Sequence, residues 1–261
     1  MEKHASLRVQ ERAENVLLVT LDRPEVANAF NTQSALDLEG VFRRIEAGRH
    51  RCVVLAGAGD RAFCAGADLK ERASFGDEQW LAQHQIFERM FRSVLDCPVP
   101  VLAAVNGAAY AGGLELVLMC DFAYASQTAR FALTEASLGI MPGGGGTQTL
   151  ARAAGERRAK ELILSARPFS AEEALAWGVV NKLCEPGKLI EETLAAARRI
   201  ASCAPLSVAH ARRAIREGLQ TDLASGLKLE IEAYQRLVGT EDRREGIRAF
   251  NEKRKPVFKG R

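Results

Sequence analysis

The chain reads as an α/β protein whose mixed core gives way near residue 200 to a helical tail. Short aliphatic runs ending in turn signals alternate with helix-length amphipathic stretches in the first half, which is the pattern of strand–helix–strand crossover units. Glycine-rich turns join these runs to the helices that follow. From Thr147 onward the pattern is helical nearly to the end, with one strand-like break at Val179 to Leu183.

Val16 to Leu21 and Cys52 to Ala56 are β-branched or aliphatic runs and predict strands. Between them, Asn31 and Thr32 offer helix caps, and Leu36, Val41, Phe42 and Ile45 mark one apolar stripe. A second helix is expected over Asp77 to Leu95, burying Leu81, Ile86, Phe87, Met90, Phe91, Val94 and Leu95 and ending before Cys97-Pro98. Val101 to Val105 predicts a buried strand, Asn106-Gly107 a turn, and Gly112-Gly113 the start of a helix. Phe122 to Ala125 and Arg130 to Ala132 read as further short strands. No internal repeat is visible. The tail, Pro205 to Lys253, carries the stripe Leu219, Leu223, Leu227, Ile231 and Tyr234, which suits packing on a partner subunit or folding back on the core.

With 261 residues, 47% apolar and 26% charged, the composition is that of a globular protein, and a net charge of +3 does not by itself imply a polyanion partner. The six cysteines are scattered without a C-x-x-C pair and read as buried thiols in a reducing compartment. Met1 to Glu14 is polar and mixed in charge, with no secretory pattern. The expected location is cytoplasmic, or the mitochondrial matrix if a presequence precedes this numbering. Val99 to Cys120 is long and apolar enough to imitate a membrane span, but Pro100, Asn106, the glycine pair and Glu115 interrupt it. A buried strand, a turn and a buried helix fit it better.

Two acids stand out. Glu115 is the one ionisable group in Gly112-Gly113-Leu114-Glu115-Leu116-Val117-Leu118-Met119, and Glu135 lies in Phe131-Ala132-Leu133-Thr134-Glu135-Ala136. An unpaired carboxylate in apolar surroundings costs several kcal/mol or takes up a proton, so two of them near glycine-rich turns suggest a dry site for acid–base chemistry. Gly112 opens a helix whose first amides have no internal partner, so its N–H either donates to a developing oxyanion or belongs to a close-packing glycine pair. Arg61 to Lys70, with Gly66 at its centre, is either a plain turn or the source of the second donor that an oxyanion hole needs. Met141 to Gln148 holds four glycines but matches neither phosphate-binding glycine pattern, and a shaped turn feeding the next helix is its expected role. His4, His50, His84 and His210 have no ligand spacing, so no metal is assigned, and no G-x-S-x-G elbow occurs.

Taken in order, these segments resemble the enoyl-CoA hydratase/isomerase (crotonase) family over essentially the whole chain. The likeness runs through Leu21-Asp22-Arg23-Pro24, Phe63 to Lys70, Asn106 to Asp121, Pro142 to Gln148 and Ala249 to Arg254. Ala67 to Ala73, Ala159 to Arg167 and Thr240 to Lys253 are most similar to the methylglutaconyl-CoA hydratases, the group of AU-rich-RNA-binding homologues. The resemblance implies a crotonase-like spiral of ββα turns over residues 1–200 and a C-terminal helical trimerisation region over 201–261, assembling a homotrimer or a hexamer. It assigns the oxyanion-hole amides to Ala67 and Gly112 and the two hydratase acids to Glu115 and Glu135. Coenzyme A, carried by the substrate rather than bound as a separate cofactor, would lie along Ala65, Asp68, Leu69 and Lys70. Val26 and Asn28 would stand near its adenine end, and Phe250 and Lys253 would come from a neighbouring subunit.

The expected activity is addition of water across the 2,3 double bond of a short or branched 2-enoyl-CoA, with 3-methylglutaconyl-CoA a candidate. An enoyl-CoA isomerase, which needs one carboxylate, is the alternative. An RNA-binding module is disfavoured because the helix after Thr32 carries only Arg43 and Arg44 against Asp37, Glu39 and Glu46. A carboxylated acyl group would favour a cation in its pocket, for which Arg72, Arg89 and Arg92 are candidates; a short unbranched chain would not need one.

Overall fold

The computed structural model describes residues 6–261. Its opening hairpin is β1 (Leu7–Arg12) and β2 (Val16–Leu21), and α1 (Thr32–Arg43) then leads to β3 (Cys52–Gly57) and β4 (Ala62–Cys64). The short α2 (Leu69–Arg72) and long α3 (Asp77–Leu95) close that turn. The next is β5 (Val101–Val105), β6 (Ala108–Tyr110) and α4 (Gly112–Met119), followed by β7 (Phe122–Ser126) and β8 (Arg130–Ala132). Successive turns thus give one strand to each of two sheets. The larger sheet has the order β1-β2-β3-β5-β7-β10, with β10 at Lys182–Cys184, and is parallel except for the β1–β2 hairpin. The smaller has the order β4-β6-β8-β9, with β9 at Phe169–Ser170. This is the expected ββα spiral. It is a repeat of geometry without a repeat of sequence.

Both faces of the larger sheet are covered, so its strands are apolar on both sides. Val53, Leu55, Ala103 and Val105 face one cluster together with Phe63, Met90, Leu114 and Phe131. Cys52, Val54, Leu102 and Ala104 face another, roofed by Leu189, Ala196 and Ala197 of α8 (Leu189–Ala201). Asn31 caps α1 by accepting from the Ser34 amide at 2.9 Å. The helix over Asp77 to Leu95 forms as expected, but Leu81 is exposed, as is Leu36 of α1. Leu81 lies on a cavity wall and therefore has no core to join. The strand-like break expected over Val179 to Leu183 begins three residues later, at β10, while Val179 and Val180 are buried just ahead of it.

Between β8 and β10 the chain forms α5 (Gly146–Ala154), α6 (Glu156–Ser165) and α7 (Ala171–Ala176). The tail is α9 (Pro205–Gly218), α10 (Leu223–Val238) and α11 (Glu241–Asn251). Arg212 of α9 ties it to the core, donating to Asp121 Oδ1 and to the Cys97 carbonyl at 2.5 Å each. The apolar stripe of the tail does not fold back: Leu219, Leu223, Leu227, Ile231 and Tyr234 are all more than half exposed. No helix among the described residues is long and apolar enough to cross a membrane, and Val99 to Cys120 is a buried strand, turn and helix. Among the described residues all six cysteines are free; four are buried as expected, but Cys120 is half-buried and Cys203, just past the end of α8, is exposed, and burial pushes the Cys64 and Cys52 thiols up to about 12.

Candidate active site

A cavity of about 530 Å³ opens between the start of α4, the 65–72 segment, α3 and the glycine run before α5. The loop after β4 enters it through Gly66, whose φ of +92° is a backbone state that suits glycine. A Cβ there would come within 2.9 Å of Ala111 Cβ and 3.1 Å of the Gly112 nitrogen, so the two candidate donor loops abut. Phe30 forms an isolated parallel bridge with Ala67: its amide donates to the Gly66 carbonyl and its carbonyl accepts from the Asp68 amide, each at 2.9 Å. In a parallel bridge the central residue of the opposite strand turns its own N–H away, so the Ala67 amide faces the other side.

Gly112 is the first residue of α4, and the carbonyl of its cap, Ala111, accepts from Leu114 and Glu115. Ala111 holds φ 50° and ψ −127°, a costly conformation for a residue with a side chain. The consequence is a sharp entry from β6 that leaves the Gly112 amide at the positive end of the helix and on the cavity wall. A Cβ on Gly112 would lie 2.6 Å from the Phe30 ring, so close packing and an available amide coexist at this residue.

One turn into α4, Glu115 is 3% exposed and Glu135, in the turn after β8, is 6% exposed; both line the cavity. Their surroundings differ. Glu115 Oε1 accepts from the Gly144 and Gly146 amides, each at 2.8 Å. Burial holds the Glu115 pKa above the usual carboxylate value, and these two donors offset part of that rise because they stabilise the charged form. Glu135 Oε2 is buried and has no hydrogen-bond partner among the described residues. Burial, with the Glu115 charge adding to it and a backbone hydrogen bond opposing, pushes Glu135 up to about 7. The site therefore pairs a carboxylate held by amides with a carboxyl that keeps a proton near neutrality, a division suited to a base and an acid.

Ala65 and Leu69 also line the cavity. The Asp68 carboxylate is engaged by Arg23 at 3.2 Å and by the Lys70 amide at 3.1 Å, which caps α2, while the Lys70 side chain is exposed. Asn28 is buried, its side-chain amide donating to the Ala58 and Ala62 carbonyls and its oxygen accepting from the Arg23 amide. That side chain is committed to the fold, which leaves backbone and Val26 as the means by which this loop would meet a nucleotide. Phe250 and Lys253 are exposed at the end of the tail and do not line the cavity.

Two features were not read from the sequence. The four-glycine run is more than a shaped turn: its amides, with the α5 N-terminus, cradle the Glu115 carboxylate. The signal was a lone buried acid in α4 and an anion-free helix start in α5, far apart in sequence. The second is Trp80, whose ring centre lies 4.1 Å from the guanidinium of Arg72, one of the three arginines the sequence offered for a carboxylated acyl group. Arg72 is 8% exposed and lines the cavity, whereas Arg89 and Arg92 border a different depression with Arg43, Glu88 and Asp96.

Residues 11–261 match the family model described as enoyl-CoA hydratase/isomerase. The chain is 43% identical over 248 residues to the putative enoyl-CoA hydratase/isomerase YngF of Bacillus subtilis, covering 95% of each. It is 39% identical to the short-chain-enoyl-CoA hydratase of Clostridium acetobutylicum, again over 95% of each. With the mitochondrial methylglutaconyl-CoA hydratase of Mus musculus it shares 35%, over 97% of this chain and 82% of that one. The crystal structure of an enoyl-CoA hydratase from Bacillus anthracis superposes with a TM-score of 0.96 at 42% identity, over 98% of this chain and 100% of that one.

Proposed function

The chain belongs to the enoyl-CoA hydratase/isomerase family, and from that premise we propose that it is an enoyl-CoA hydratase working through Glu115, Glu135 and the amides of Ala67 and Gly112. The thioester carbonyl of a 2-enoyl-CoA accepts from the two amides. As water adds to C3, negative charge moves onto that oxygen, and the donors stabilise it where it develops. Glu115, ionised and fixed by Gly144 and Gly146, takes the proton of the attacking water; Glu135, protonated, delivers one to C2. The observation that carries this reading is the contrast between the two acids of one cavity, one held by two amides and one with an orphaned oxygen.

Coenzyme A enters as part of the substrate, with Ala65 and Leu69 at the cavity wall and exposed Lys70 and half-buried Val26 toward the nucleotide. The uncovered stripe on α9 and α10 supports assembly into a trimer, or a pair of trimers, in which Phe250 and Lys253 reach a neighbour's ligand. Free thiols, four of the six buried, support a reducing, cytoplasm-like compartment. The conjugated enoyl thioester, lost when a 2-enoyl-CoA is hydrated and gained when a 3-enoyl-CoA is isomerised, is the readout that tests the assignment with the two substrates side by side. Turnover of the 3-ene alone would make the protein an isomerase.

A further inference from the structure

Resting on the hydratase reading, we propose that Arg72 selects acyl groups that carry a second carboxylate, so that the preferred substrate is the mono-thioester of an unsaturated dicarboxylic acid. Arg72 is more than nine-tenths buried and lines the same cavity as Glu115 and Glu135. Its Nε donates to Gln83 Oε1 at 2.6 Å, and its Nη2 is buried with no partner among the described residues. The guanidinium lies 4.1 Å from the centre of the Trp80 ring and 5.0 Å from that of Phe87. Stacked in this way, it keeps its donor edge for something in its own plane.

The neighbouring acid does not supply that partner. Glu71 Oε2 accepts from Gln83 Nε2 at 2.6 Å and from the Thr32 amide at 2.9 Å, and Gln83 also donates to Thr32 Oγ1 at 2.8 Å. Gln83 thus orients the arginine with one end of its amide and engages Glu71 with the other. Burial disfavours the charge on Arg72, and Glu71 only partly offsets it. A buried guanidinium whose donors are left over is costly, and a carboxylate placed against it would remove that cost through a charge-assisted pair.

Position separates this cation from one meant for phosphates. A ring cluster links it to the reacting centre: Phe87 lies 4.8 Å from Phe30, and Phe30 packs on Gly112. Arg72 is therefore two aromatic rings, Phe87 and Phe30, from the oxyanion turn, inside the cavity, whereas the hydrated phosphates of a nucleotide suit an exposed cation such as Lys70. An unbranched apolar acyl chain would leave the guanidinium facing methylenes.

Glutaconyl-CoA and crotonyl-CoA differ only by a carboxyl group at C4, and their kcat/KM ratio reads the preference. The wild type should favour glutaconyl-CoA. Arg72→Met should lower the ratio about 10- to 100-fold, the range expected for a hydrogen-bonded charge pair, and Arg72→Lys should restore part of it. A purely structural arginine would depress both substrates together and leave the ratio where it was; that result, or a wild type without preference, overturns the proposal. Calorimetric binding of glutaryl-CoA against butyryl-CoA gives the same comparison without turnover. If neither enoyl ester is hydrated, the hydratase reading falls, while the binding pair still decides the role of Arg72: glutaryl preference lost in Arg72→Met sustains it, and equal affinities sink it.

Discussion

The amide of Gly146 donates to Glu115 Oε1 at 2.8 Å, so helix α5 begins on a carboxylate supplied by helix α4. A Cβ at position 146 would come within 3.0 Å of that oxygen and of Leu133 Cδ1, and within 3.1 Å of Pro142 Cβ. Gly146→Ala should therefore displace the carboxylate by a few tenths of an ångström or more without removing it. Displacements approaching 1 Å cost about 10²-fold. The expected result is kcat reduced by roughly 10- to 100-fold with KM little changed, measured by initial rates on a 2-enoyl-CoA.

Glu115→Gln and Glu135→Gln keep the shape of each side chain and remove its proton transfer. Each should fold and bind CoA esters while hydrating about 10²- to 10⁴-fold more slowly, the usual weight of positioned acid–base groups. Near-normal turnover in either variant would take that residue out of the mechanism.

The pH profile follows from proton counting. Hydration starts from ionised Glu115 with protonated Glu135; dehydration starts from the reverse arrangement, which holds the same number of protons. Both directions should therefore lose kcat/KM together as pH rises through about 7, where Glu135 gives up its proton. Rates in the two directions that moved oppositely across this range would be incompatible with a shared proton.

Stability carries the same signature with a definite sign. Between its ordinary 4.5 and about 7, Glu135 binds a proton in the folded chain that the unfolded chain does not hold. Stability from this group is present at low pH and lost as pH rises through that window, by about 3 kcal/mol at roughly 1.4 kcal/mol per pH unit. Glu135→Gln should flatten that stretch of the curve and be the more stable protein at pH 8, as denaturant titrations at pH 5 and pH 8 would show.

The exposed tail stripe predicts an assembly. Leu227→Glu combined with Ile231→Glu places charge on the uncovered face of α10 while touching no core residue, since both side chains are more than half exposed. Light scattering should show the wild type as an oligomer and the double variant as smaller species; an unchanged mass would mean that another surface holds the subunits together.

The elements with a strong period were legible. Helix α3 follows its apolar spacing apart from the cavity-facing Leu81, and β2, β3 and β5 are almost wholly apolar runs because both faces of their sheet are covered. The three-residue strands β4 and β6 gave no such signal, being too short to show a period, and β1 is masked by the polar residues on its solvent side. At the site, Glu115 and Glu135 announced themselves as charges in apolar segments. The glycine cradle did not, because nothing local tells a helix N-terminus which carboxylate will reach it. Arg72 was one of three equivalent arginines until folding put it beside Trp80 and sent Arg89 and Arg92 elsewhere.

Phe30 touches both halves of the proposed oxyanion hole by different means, its main chain holding Ala67 in register and its ring resting on Gly112. The gap between the two donors is thus gauged by a single side chain, which also abuts Phe87 and Phe91. Trimming that ring would slacken the hole and reshape the acyl wall in one stroke, so catalytic speed and substrate choice cannot drift independently at this position.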